Sequence, residues 1–108
     1  MPFIKLDQLL EKEVVKGYVG RAIHTGTITL MYWTVEADSS IPLHTHPHEQ
    51  VAHVIRGQFE LTLGEETRIL EPGTVAVIPP HLPHGGMAIT DCELLDVFHP
   101  EREDYQFI

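Results

Sequence analysis

The sequence predicts an all-β domain, a barrel or sandwich, and two observations carry that prediction. Short runs rich in β-branched and aromatic residues recur from about residue 19 to residue 98. Turn signals interrupt them roughly every eight to twelve residues, the spacing of an all-β sandwich or barrel. The only helical periodicity lies near the start, where Leu6, Leu9, Leu10 and Val14 recur at three- and four-residue steps.

The 108 residues suit one domain. We divide it into an N-terminal arm (1–18), a barrel (19–99) and a C-terminal tail (100–108). A chain of this size buries roughly 65% of the surface its unfolded form exposes, so it can fold alone but gains from a partner. The net charge of −9, with seven Lys and Arg, argues against nucleic acid and against an anionic membrane surface. One cysteine, Cys92, permits no intrachain disulfide. With no basic region leading into an apolar run at the start, and no window of about 20 apolar residues, the expected location is the cytoplasm.

Taken in order, residues 5–16 predict one or two turns of helix, or a loop, capped by Asp7 and ended near Gly17 and Gly20. Residues 19–24 and 27–36 read as strands around the turn Thr25-Gly26. The stretch 30–35 is apolar on both parities, so both its faces are expected to be covered. Asp38-Ser39-Ser40 is a loop. Residues 50–56 and 58–63 flank Gly57 and predict a tight hairpin. Gly64-Glu65-Glu66 leads into strand 67–70, and Glu71-Pro72-Gly73 into strand 74–78. Residues 79–83 contain three prolines, which donate no ladder hydrogen bond and so exclude a central strand. Strands 84–89 and 93–98 complete the series, and His99-Pro100 ends it.

Four of the eight histidines fall between residues 44 and 53. His44 and His46, two apart, share a face at strand spacing. Two imidazoles on one face can hold one metal ion, and a ligand at Gln50 with another at His84 would close the site. Glu49 has the opposite parity and should face away. His48 and His81 read as exposed loop residues, and His53 as an interface or sheet-packing residue. His24 and His99 carry no signal.

The patterns His44-x-His46-x-x-x-Gln50 before Gly57, and Pro79-x-His81-x-x-His84 after Gly73, resemble the two motifs of the cupin family. The resemblance implies a double-stranded β-helix, or jelly-roll, barrel with a short N-terminal helix or loop. It implies one divalent transition metal held by His44, His46, Gln50 and His84. Two positions depart from the usual pattern: Gln50 replaces the usual glutamate, and His81 a usual glycine. Three imidazoles and an amide leave the ion its full charge, which favours Lewis-acid chemistry on oxygen-rich substrates over high-valent iron. Nitrogen and oxygen ligands suit zinc, nickel, iron, manganese or copper alike.

On the last strand Cys92, Leu94, Asp96 and Phe98 share one face. An acid on an apolar inward face costs several kcal/mol if buried unpaired, and Arg102 is near enough in sequence to be its cation. The bland alternative is an exposed edge acid with a surface arginine. The run Asp96-x-Phe98-x-Pro100-x-Arg102-Glu103-Asp104-Tyr105, with Gln50 and Ile78-Pro79-Pro80-His81-x-x-His84-Gly85, is similar to the small cupins of pectin and alginate breakdown. Those convert unsaturated uronates to linear keto forms. The resemblance implies that Asp96 is the acid/base and that Phe98 and Arg102 line the substrate pocket.

Three rival functions remain open at this point: a metal-dependent dioxygenase, a non-catalytic small-molecule-binding cupin, and a barrel with a vestigial site. A homodimer is expected, from the apolar stretch 30–35 and the outward row Val51, His53 and Ile55.

Overall fold

Alternating burial along extended segments builds the molecule. The structure is a computed structural model that describes residues 3–105. A 3-10 turn, Leu6–Gln8, precedes ten strands: β1 Glu11–Val15, β2 Tyr18–His24, β3 Thr29–Val35, β4 Ser40–His44, β5 Glu49–Arg56, β6 Phe59–Leu63, β7 Glu66–Leu70, β8 Val75–Ile78, β9 His84–Ala88 and β10 Cys92–His99. A second 3-10 turn, Glu103–Tyr105, follows them. The strands form a six-stranded sheet, β1-β2-β3-β10-β5-β8, and a four-stranded sheet, β4-β9-β6-β7. All pairings are antiparallel.

The inward faces meet in one core. The larger sheet supplies Tyr18, Met31, Trp33, Val35, Val54, Ile78, Leu94 and Phe98, and the smaller Phe59, Leu61, Leu70 and Ala88. This is the all-β sandwich that the turn spacing predicts, and the jelly roll that the family resemblance implies.

Three expectations meet the structure differently. Residues 5–16 form the single turn expected, a 3-10 turn, and then β1, a strand that the helical periodicity did not predict. Leu6 and Leu10 are exposed, so the helical stripe has no surface to pack on. The edge of β2 instead offers Glu11–Val15 a backbone partner, reinforced by the Glu11–Arg21 ion pair at 2.9 Å. Next, Gly57 does not close a hairpin. β5 lies in the larger sheet and β6 in the smaller, so Gly57 carries the chain from one to the other. Its φ of +93° suits glycine, and a Cβ there would stand 2.3 Å from the Asp91 carbonyl oxygen. Finally, only one face of β3 is covered within the chain. Thr29, Met31, Trp33 and Val35 are buried, while Leu30 and Tyr32 are half-buried and Thr34 is exposed.

Candidate functional site

The two sheets approach each other at one end of the core, and each contributes part of the site. From the smaller sheet, His44 at the end of β4 lies directly opposite His84 at the start of β9. From the larger, Gln50 on β5 lies opposite Phe98 on β10, and Asp96 is two residues back on the same face of β10. Gln50 is buried and Glu49 exposed, as alternation requires. His46 lies beyond β4, in the connection to β5. Loop geometry, not one strand's alternation, therefore brings His44 and His46 together. The His46 carbonyl accepts a 2.8 Å hydrogen bond from the backbone N–H of His81, tying that connection to the loop before β9. The His81 side chain itself is exposed.

The imidazoles of His44, His46 and His84 converge, with ligand atoms within 4.8 Å of one another. Each Nδ1 faces a backbone oxygen: His44 to Pro42 at 2.9 Å, His46 to His48 at 3.0 Å, His84 to Leu82 at 2.8 Å. A carbonyl only accepts, so each Nδ1 carries a proton, and in a neutral ring the lone pair is left on Nε2. Nε2 of His84 is buried with no hydrogen-bond partner. Burial, with the charge of Arg102 behind it, pushes His46 down to about 4. Burial lowers His84 as well. Both rings are therefore neutral at physiological pH, as metal ligands must be.

Gln50 completes the fit. Its side chain lies beside the Asp96 carboxyl and helps to hold it down. An ionised carboxylate only accepts, so Gln50 turns its NH₂ to Asp96 and its Oε1 to His46, 3.0 Å from Nε2. Two lone pairs then face each other, an arrangement that a cation between them resolves. The donor set fits a divalent transition metal.

Asp96 faces the cavity beside these groups. Burial pushes its carboxyl up to about 6, against the Gln50 side chain, the hydrogen bond from Trp33 and the charge of Arg102. The Trp33 indole N–H donates to Oδ2 at 3.0 Å. Arg102 supplies positive charge that holds the Asp96 carboxyl down, as sequence proximity suggested, while its Nε and Nη2 donate to Asp104 at 2.9 and 2.6 Å. The guanidinium carbon lies 4.6 Å from the Phe98 ring centre and 4.3 Å from that of Tyr105. Asp96, Phe98 and Arg102 line the same cavity as His44, Gln50 and His84.

His48, expected to be exposed, is 8% exposed and packs edge-on against Phe98 and His46. Residues about fifty positions away cover it, which local pattern does not reveal. Trp33 and Asp104 were missed for the same reason. Trp33 reads as ordinary core until β10 is placed beside it, and Asp104 as a tail acid until the chain turns back at Glu103–Tyr105.

Comparison with known proteins agrees with this architecture. The cupin domain model matches residues 31–98. The pectin degradation protein KdgF of Dickeya dadantii (strain 3937) is 34% identical over 64 residues, covering 57% of this chain and 58% of that protein. The solved structure of KdgF from Halomonas sp. shares 29% identity and a TM-score of 0.90, over 96% of this chain and 97% of that one. An RmlC-like cupin from Shewanella frigidimarina NCIMB 400 reaches a TM-score of 0.92 at 24% identity, over 97% and 96%. That last likeness speaks to the fold alone. With a family match over more than half its length and the two-sheet barrel to go with it, the chain belongs to the cupin family.

Proposed function

We propose that this cupin is a metal-dependent isomerase that ketonises a small unsaturated sugar acid, a uronate. The observation that carries the reading is Asp96: a cavity-facing carboxyl, raised to about 6, beside Gln50 and the histidine cluster. The KdgF likenesses support the substrate class.

In this reading His44, His46, Gln50 and His84 hold one divalent metal, which when bound supplies a Lewis acid that acidifies a substrate hydroxyl. The protein's own groups do the rest. Asp96 accepts the enol proton and delivers it to carbon. One O–H bond breaks and one C–H bond forms, C=C becomes C–C, C–O becomes C=O, and no proton is gained or lost. A carboxyl near 6 suits both halves of that transfer at neutral pH. Phe98 and Arg102 form the substrate wall, and the Arg102 guanidinium matches a carboxylate. The reading includes a homodimer formed through the outer face of the larger sheet.

The test begins with elemental analysis of wild type beside His44→Ala. About one transition metal per chain, lost in the variant, supports the site. Metal absent from both after exposure to divalent ions overturns it. Turnover of unsaturated uronates then follows, with Asp96→Asn as control. The variant should keep its metal and lose about 10²–10⁴-fold in kcat, and normal turnover would end the acid/base assignment.

A further inference from the structure

The tail beyond β10 is tied to the barrel at several points. The Arg102 backbone N–H donates to Thr29 Oγ1 at 2.9 Å, and the Tyr105 N–H to the Arg102 carbonyl at 3.2 Å. The His24 ring bridges Thr29 Oγ1 at 2.9 Å and the Tyr105 carbonyl at 3.0 Å. Glu101 accepts from the Gly26 N–H at 2.7 Å. Three residues of the β2–β3 hairpin thus hold a strap across one side of the site.

The strap presents one cation. The Arg102 side chain is 10% exposed and sits in the corner formed by the Phe98 and Tyr105 rings, which are inclined at 67°. Asp104 grips the Nε–Nη2 edge through two hydrogen bonds. Arg102 belongs to the cavity wall, whereas Asp104 stands outside it with a side chain 58% exposed. The carboxylate therefore reaches the guanidinium from the solvent side.

We propose that Asp104 is a positioning residue for Arg102: gripping the guanidinium from outside, it sets the angle at which a substrate carboxylate is received from inside, and so makes the site select acids over neutral sugars. The inference rests on the uronate reading and adds to it the residue that governs recognition of the acid group.

The experiment uses metal-loaded full-length protein, with Asp104→Asn and the charge-retaining Asp104→Glu beside wild type. Calorimetric titration with galacturonate and with galactose reads acid recognition, and steady-state kinetics on an unsaturated uronate read KM and kcat. Asp104→Asn should weaken galacturonate binding and raise KM about tenfold, the scale of a lost charge-assisted hydrogen-bond pair, with kcat within about twofold. Galactose binding should not change, and Asp104→Glu should recover most of the loss. A general loosening of the fold would move kcat and galactose binding too. Unchanged or tighter galacturonate binding in Asp104→Asn overturns the inference and leaves the uronate reading intact if wild type turns over. Weakened galacturonate binding with no turnover by wild type upholds the positioning role and overturns the uronate reading. A wild type that neither binds nor turns over uronates overturns both.

Discussion

Oε1 of Gln50 lies 3.0 Å from Nε2 of His46, an atom whose proton sits on the far side of the ring. Two acceptors this close predict a strong response to the charge at position 50. Gln50→Glu should hold a divalent ion about tenfold or more tighter, since a carboxylate offsets its charge. It should also cripple turnover, because a carboxylate cannot donate to Asp96 and repels its ionised form. Metal titration beside steady-state kinetics measures both, and a variant with weaker metal binding and full activity would remove Gln50 from the ligand set.

Two groups in the site pull metal-free stability in opposite directions with pH. The His46 folded value lies near 4, below its unfolded value of 6.5, so its contribution is present above 6.5 and is lost as pH falls through 4. The Asp96 folded value lies near 6, above its unfolded value of 3.8. Its burial therefore destabilises the fold above 6, and that cost is relieved as pH falls toward 3.8. Each effect amounts to roughly 3 kcal/mol at most, taking about 1.4 kcal/mol per pH unit, so between pH 6 and 4 they largely offset. Asp96→Asn should expose the histidine loss. Urea denaturation of chelator-treated protein at pH 7 and pH 5 should show a steeper drop in the variant than in wild type. Parallel pH profiles would contradict the paired assignment.

Trp33 should tune the acid without touching the metal. Trp33→Phe deletes the indole N–H that stabilises ionised Asp96. The acidic limb of the pH–rate profile should move up by about one unit, on the scale of one lost hydrogen bond to a charged group. Metal content should stay at wild-type level. A profile that does not move would mean that Asp96 does not control that limb.

The outer face of the larger sheet carries an apolar row five strands wide. Ile23, Leu30, Val97, Val51 and Val77 are successive cross-strand partners. Val77 is 62% exposed. A row of this kind is self-complementary about a two-fold axis. Sedimentation should give a dimer for wild type, and Val51→Lys should release monomers that keep their fold. A monomeric wild type would refute the pairing.

What was legible in the sequence was local. Alternation placed Gln50 inward and Glu49 outward, and it put Asp96 on the same face as Phe98 before any strand was paired. The histidine pattern worked for a related reason, since turn residues beside it fix where the rings converge. What failed was set by partners distant in sequence. Gly57 looks like a hairpin tip because its neighbours are strand-like, but β5 finds β10 and β8 while β6 finds β9 and β7. His48 looks exposed until Phe98 arrives beside it. Arg102 does act as a cation on Asp96, but the second acid that grips it, Asp104, becomes visible only once the strap has turned back.

The division of the candidate ligands between the sheets has a mechanical consequence. His44 and His84 move with one sheet and Gln50 with the other. An ion held by all three would rivet the two sheets together at the site. Amide hydrogen exchange should therefore slow on metal loading in β4, β9 and the first half of β5, and change little in β7. The ion that arms the site would then also stiffen the mouth through which substrate enters.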